Sequence, residues 1–289
     1  MNEYLRGALA ILLPPIVGGL LMGLDRKLTA RLQGRVGPPI TQPFYDILKL
    51  FGKESVACNT FQAIAASLYL VTNMLTVLML AFGQDLLVLL FVLALGTVML
   101  ILGGFSVKSP YSQLGSQREL LQMLAYEPLL VLMVVAIYLH TGSFAVSDVW
   151  ALNRPLLLSM PLFFLSQTLV LAIKLHKSPF DVSASHHAHQ ELVRGIYTEF
   201  SGPILGLIEL GNLYELMLLL GLTALLLHTV WWAGALLSLS SLIIVILLDN
   251  ITSRMTWHWL VKAAWLWGAG LAVANLILLY SGIPSFRLK

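Results

Sequence analysis

Long runs of apolar residues make up most of the chain and alternate with short polar segments. A helix needs about 20 predominantly apolar residues to cross the hydrocarbon core of a bilayer. The stretches of suitable length are about 7–25, 63–82, 86–105, 120–140, 158–175, 204–228, 230–248 and 262–281. This pattern predicts an all-α integral membrane protein of about eight transmembrane helices, with residues 1–289 forming a single polytopic membrane domain.

A shorter helical pattern occupies the polar segment between the first two runs. Over about 42–53, apolar residues at helical spacing (Phe44, Ile47, Leu48, Phe51) stand against charged ones (Asp46, Lys49, Lys53). Pro43 falls at the predicted start, where its missing amide proton is not needed. The pattern predicts an amphipathic helix in the plane of the membrane interface. Periodicity alone fits equally well a surface helix that only connects two spans.

Composition excludes a water-soluble fold. The chain is 58% hydrophobic and 11% charged, with a mean hydropathy of +0.86, whereas soluble domains carry about 25% charged residues. The single cysteine, Cys58, excludes an internal disulfide and a cysteine-ligated cluster made by this chain alone. We therefore expect no cofactor on this chain. The net charge of +3 does not indicate nucleic-acid binding, because basic residues commonly flank membrane spans.

The distribution of basic residues predicts the orientation. Of 17 Lys and Arg residues, only Arg6, Arg154, Arg287 and Lys289 fall on one face of an eight-span topology. The others, Lys174 included, fall on the opposite face. The positive-inside rule then places the large loops in the cytoplasm and both termini outside, in a multi-pass protein of the cell membrane.

Carboxylates recur inside or beside the predicted spans. Glu127 lies within the fourth stretch, and Glu209 and Glu215 lie within the sixth. Acids inside a membrane are costly and are functional by default, since burial lets them hold and relay protons. Glu119, near the predicted start of the fourth helix, is as consistent with an interfacial acid as with function. Asp249 fits a plain interfacial acid better.

A histidine cluster lies in the third large loop. His186, His187 and His189 stand close together, and imidazole is a common metal ligand. Without a deep, fixed set of further ligands, hydrogen-bonding or titrating groups at a subunit interface are the favoured interpretation. No metal site is predicted.

Three motifs in the same order carry a family resemblance: RVGP…QP..D..KL..KE, YSQLGSQRELLQMLAYE and SPFDV…HQELVRGIYTEFSGP. They resemble the membrane subunit of respiratory complex I that docks the peripheral arm (the complex I subunit 1 family), and the equivalent subunit of membrane-bound nickel–iron hydrogenases. The resemblance implies an ion pathway of Glu127, Asp181, Glu191, Glu199, Glu209 and Glu215. It implies a docking surface that includes Arg26, Arg31, Arg35, Asp46 and Lys49, with the three histidines at the interface.

Departures from the complex I pattern indicate the subfamily. Only three residues separate Pro38 from Gln42, where the quinone-reducing relatives carry a longer Gly-rich insertion. The segment after PFDV reads SASHHAHQELV instead of closely spaced glutamates, and RMTWH, from Arg254 to His258, replaces an acidic element. The HHAHQELV form resembles the Ech-type energy-converting hydrogenases.

The function that this resemblance implies is a non-catalytic membrane anchor that couples electron transfer to export of H⁺ or Na⁺ in a ferredoxin-linked, hydrogen-evolving complex. The expected partners are a nickel–iron large subunit and an iron–sulfur small subunit, which carry the metal centres, and an antiporter-like membrane subunit. The alternatives are a quinone-binding subunit of a complex I-like dehydrogenase, a formate hydrogenlyase subunit, and an independent channel or antiporter. The last is disfavoured because no inverted repeat is visible.

Overall fold

The structure is a computed structural model that describes residues 3–56, 59–184 and 192–280. Within these ranges the chain is helical. The helices are α1 Glu3–Leu32, α2 Gln42–Phe51, α3 Thr60–Ala81, α4 Leu86–Phe105, α5 Pro110–Thr141, α6 Val146–Trp150, α7 Leu156–Ser159, α8 Pro161–Lys174, a 3₁₀ turn Gly195–Tyr197, α9 Gly202–Leu225, α10 Trp231–Ile251, α11 Trp257–Ala263, a π-helical turn Ala264–Ala269 and α12 Gly270–Tyr280. The all-α membrane fold predicted from the sequence is confirmed.

Seven helices are long and apolar enough to cross a bilayer: α1, α3, α4, α5, α9, α10, and the continuous helix Trp257–Tyr280. The predicted fifth span is the shorter helix α8, preceded by α7. The amide of Leu157, in α7, donates to the carbonyl of Leu226 just beyond α9, whereas Lys177, just beyond α8, pairs with Asp25 near the end of α1. Within the described residues, α7 therefore lies near the end of α9, and the segment after α8 lies near the end of α1.

Local chemistry explains several helix starts. The Asp85 carboxylate accepts from the amides of Leu87 and Val88 at 2.7 and 3.2 Å, and so satisfies two unpaired donors at the start of α4. Proline stands in the first turn of α2, α5, α8 and α9, where no amide donor is needed.

Inside α1, Pro15 leaves the carbonyl of Ile11 without its helical donor. The Tyr214 hydroxyl donates to that carbonyl at 2.7 Å, which ties α1 to α9.

Two helices extend further into the predicted loops than the hydropathy indicated. α1 continues to Leu32, seven residues past the expected end, and α5 begins at Pro110 instead of 120. Most of the segment between the predicted spans 86–105 and 120–140 is therefore helix, and Glu119 lies inside α5 and not at its start. At the start of α5, the polar residues Ser112, Ser116 and Glu119 are buried, so hydropathy does not mark the boundary there. The amphipathic helix is confirmed, and ends at Phe51 instead of 53.

The core forms where α3 packs between α4 and α9, with α1 and α10 against α9 and α5 against α4 and α8. Small residues allow these close approaches. At Gly19 an added Cβ would overlap the ring of Phe44, and at Gly211 it would overlap the ring of Tyr69. The first contact seats α2 against α1, and the second brings α3 close to α9. Both position polar side chains of the site.

Candidate functional site

The segment after α8 supplies side chains to three polar clusters. Lys174 ends α8, and the backbone then turns at His176, which has a φ of +49°. Histidine is among the residues that tolerate this left-handed conformation, although it carries strain. Lys174, His176 and Lys177 each meet a different acidic partner. The end of α8 and the residues just after it therefore connect acidic groups on three other helices, α9, α5 and α1.

The first cluster is centred on an ion pair between Lys174 and Glu215 of α9. Their side chains are only 3% and 9% exposed. The Lys174 Nζ also lies 3.0 Å from the Thr97 hydroxyl and 4.6 Å from the centroid of the Tyr126 ring. Burying two charges is tolerable only with such complete pairing. We call this the lysine–glutamate cluster.

Tyr69 of α3 extends this cluster along α9. Its hydroxyl lies 2.9 Å from Glu215 Oε2 and 2.7 Å from Asn212 Oδ1. With one proton, the hydroxyl donates to one of these acceptors at a time. Glu209, Asn212 and Glu215 follow one another at three-residue steps on α9, so Asn212 lies between the two carboxylates along the helix.

The second cluster joins α5 to the third loop. His176 Nε2 lies 2.9 Å from Glu119 Oε2, and the Ser183 hydroxyl lies 2.5 Å from the same oxygen. Ser183 also lies 2.6 Å from Gln122 Oε1. Burial alone would lower the pKa of His176, but the Glu119 carboxylate holds that pKa above its usual value. We call this group the glutamate–histidine cluster.

The third cluster holds the ends of α1 and α10 together. Lys177 Nζ lies 2.8 Å from Asp25 and 3.2 Å from Asp249, and the amide of Ser178 donates to Asp249 at 2.9 Å. Burial acts to lower the pKa of Lys177, but the two carboxylates raise it, so the lysine stays charged. Asp249 is therefore part of a buried network and not a plain interfacial acid.

A cavity of about 490 Å³ opens beside the second and third clusters. Its walls include Asp25, Arg35, His176, Lys177, Asp181 and Asp249. Burial raises the pKa of Asp181 to about 6, although Arg254, at 3.9 Å, opposes the rise. Asp181 can therefore exchange protons near neutral pH. We call this opening the loop cavity.

A second cavity, of about 300 Å³, lies between α1, α2 and α9, and we call it the interfacial cavity. Arg26 and Asp46 pair across it at 2.6 Å, and Glu209 lies in its wall. Burial acts to raise the pKa of Asp46, but hydrogen bonds from Arg26 and Gln42 outweigh it and lower that pKa. The two carboxylates of α9 thus lie in different environments, since Glu215 is buried and Glu209 lines a cavity.

The remaining predicted residues are placed as follows. Glu127 is half-buried near the middle of α5, and within the described chain no hydrogen bond or ion pair holds it. Glu199 follows the 3₁₀ turn and is half-buried. Arg31, in the last turn of α1, Arg35, just after that helix, and Lys49, on α2, are exposed. The predicted residues His186, His187, His189 and Glu191 lie outside the described residues.

Several groups at the centre of the site were missed by sequence reasoning. Lys174 was counted with the cytoplasmic cations, but it is buried and paired. Its position inside the predicted stretch 158–175 was a usable signal, because an intramembrane lysine requires a partner. Tyr69, Asn212 and Lys177 carried no comparable signal. Their roles depend on neighbours from distant helices.

Comparison with known proteins gives a consistent result. The family described as NADH dehydrogenase matches residues 7–280. A subunit of the NADH-quinone oxidoreductase of Syntrophobacter fumaroxidans is 32% identical over 253 residues, covering 77% of this chain and 75% of the relative. Hydrogenase-4 component C of Escherichia coli is 33% identical over 207 residues, covering 66% and 65%. The structure of an archaeal respiratory complex, the membrane-bound sulfane sulfur reductase, contains a chain that matches with a TM-score of 0.86 and 25% identity, covering 96% of this chain and 99% of that one.

Proposed function

The chain belongs to the NADH dehydrogenase subunit 1 family of complex I-like respiratory membrane complexes, and from this premise we propose that it is the anchor and ion-translocation subunit of an energy-converting hydrogenase. In this proposal electrons from ferredoxin reduce protons in cytoplasmic nickel–iron and iron–sulfur partners. An antiporter-like subunit continues the membrane arm. This chain converts the electron-transfer event into movement of H⁺ or Na⁺.

The observation that carries the coupling role is the series of polar groups leading inward from the loop cavity. His176 lines that cavity and contacts Glu119, Lys174 two residues earlier pairs with Glu215, and Tyr69 connects Glu215 with Asn212. We call this series the polar path. Every member except Asn212, a neutral amide that only donates and accepts hydrogen bonds, can hold a proton or a charge, and a change at the cavity alters the electrostatic balance of the next pair.

The path supports a mechanism of charge redistribution. Protonation of Glu215 would release Lys174 from its ion pair, and that uncompensated cation would favour deprotonation of other acids nearby. The predicted orientation, with large loops in the cytoplasm, places the loop cavity on the side of the electron-transfer partners. A redox event there can bias the first titrating groups without any redox ligand on this chain.

A second candidate function is quinone binding. The loop cavity favours it, because a concave site with a few convergent polar groups is typical of small-molecule binding. Relatives are also named as subunits of NADH-quinone oxidoreductases. Against it stands the short link between Pro38 and Gln42.

The test is to purify the intact complex through a tag on this chain and reconstitute it in liposomes. The proposal expects nickel–iron and iron–sulfur subunits in the preparation, and hydrogen evolution from reduced ferredoxin that drives ion uptake. Glu215→Gln should abolish uptake while hydrogen evolution continues, whereas the exposed control Glu54→Gln should leave both unchanged. Electron transfer that requires added quinone and stops with quinone-site inhibitors would replace this proposal with the second one.

A further inference from the structure

The interfacial cavity has an unusual charge balance for a site beside the membrane. Its wall carries the cations Arg26, Lys49, Lys53 and Arg194 and the acids Asp46 and Glu209. Four cations less two acids leave a formal excess of two positive charges. An anion is the ligand that this balance fits.

The cationic groups are held in different ways. Arg26 is fixed by its 2.6 Å pair with Asp46, which also accepts from Gln42 at 2.9 Å. Lys49, on α2, and Lys53, two residues past the end of α2, are exposed and have no salt-bridge partner among the described residues. The cavity therefore offers one positioned guanidinium beside two exposed ammonium groups, a combination suited to phosphate oxygens.

The apolar part of the wall indicates where the rest of the ligand lies. Met22, Ile47, Leu50 and Leu213 line the same cavity. The helix α1, which supplies Met22 and Arg26 to the wall, also presents Leu13, Ile16 and Leu20 outward, with 49%, 52% and 42% of their surfaces exposed. On α2, Leu48 is 67% exposed. A charged opening beside the amphipathic helix and an apolar outward face on the same helix α1 are the two kinds of surface that a phospholipid requires.

We propose that the interfacial cavity binds the headgroup phosphate of an anionic phospholipid, whose acyl chains lie along the outer face of α1. The bound lipid anchors α2 between α1 and α9 and places a fixed negative charge near Glu209. It is thus a structural lipid next to one carboxylate of the predicted ion pathway. This proposal requires the membrane setting but not the hydrogenase partners.

The test uses native mass spectrometry of the intact, detergent-purified complex, with phosphatidylglycerol added back after delipidation. We compare the wild type with the double variant Lys49→Gln/Lys53→Gln and with the control Lys108→Gln, an exposed lysine outside the lining of this cavity. Removal of two cations should weaken retention of phosphatidylglycerol by roughly tenfold or more, since each basic group near anionic lipid strengthens binding several-fold. The control and the wild type should retain it equally.

Phosphatidylcholine and inorganic phosphate serve as comparison ligands. Weaker retention of phosphatidylcholine than of phosphatidylglycerol, and no displacement by millimolar phosphate, would support the lipid site. Equal retention by the double variant and the wild type would overturn it, as would a site that inorganic phosphate fills alone. The same spectra report subunit composition. Loss of cytoplasmic subunits with the lipid retained would assign these lysines to docking instead, and would also overturn the proposal.

Discussion

The ion pair between Lys174 and Glu215 offers the most direct test of the reasoning, because stability and coupling should respond to it differently. Both side chains are almost completely buried. Glu215→Gln removes the negative charge and leaves Lys174, among the described residues, with neutral partners: the substituted amide, the Thr97 hydroxyl and the Tyr126 ring. Loss of one partner from a buried pair costs about 3–5 kcal/mol. We expect a decrease of that size in the free energy of unfolding.

The double variant Lys174→Met/Glu215→Met removes both charges together. Replacing a buried ion pair by apolar groups of similar volume is often neutral or stabilising, by about 1–4 kcal/mol. The double variant should therefore recover most of the stability that Glu215→Gln loses. It should not recover ion transport, because neither methionine can hold a proton or a charge.

The measurements are denaturant unfolding of the subunit in the detergent-solubilised complex and ion uptake by the reconstituted complex. Glu54→Gln, a change at an exposed glutamate, controls for the loss of one negative charge. Two results would refute the reasoning. If Glu215→Gln is as stable as the wild type, the pair is solvated and not buried. If the double variant still couples hydrogen evolution to ion uptake, the pair is not part of the polar path.

Three further outcomes are expected. The Glu119 carboxylate raises the pKa of His176 against the effect of burial, so wild-type stability should fall as pH rises through that raised pKa. In Glu119→Gln this fall should be absent. Thermal unfolding across a pH series measures the difference. Arg254→Gln should move the pKa of Asp181 above about 6, because burial raises that pKa and the Arg254 guanidinium opposes the rise. The pH midpoint of coupled ion uptake reports the shift. An unchanged midpoint would show that Asp181 takes no part in coupling. Gly115→Ala should lower stability by about 1–3 kcal/mol, because an added Cβ would lie 3.0 Å from the Cα of Gly195 and overlap the backbone beside it; faster tryptic cleavage of the third loop would confirm it.

The two carboxylates of α9 show how far pattern reasoning reached. Because a regular helix turns about 100° per residue, their six-residue spacing puts the two side chains about 120° apart, and the structure places Glu215 in the lysine–glutamate cluster and Glu209 in the interfacial cavity. Angular position follows from helix geometry alone. The same reasoning applied to Glu119 was less complete, because it started α5 too late and left the Glu119–His176 contact undetected.

The amino-acid sequence by itself determined the membrane class, the all-α fold, the amphipathic helix α2 and, through three motifs, the family. These features depend on local hydropathy, helical periodicity and residues close together in the chain. Only the tertiary structure decided which polar groups meet. Lys174 and Glu215 lie on different helices, and Tyr69 reaches Glu215 across 146 residues of chain. A buried charge requires a partner whichever helix supplies it, and the packing of α3, α8 and α9 selects that partner.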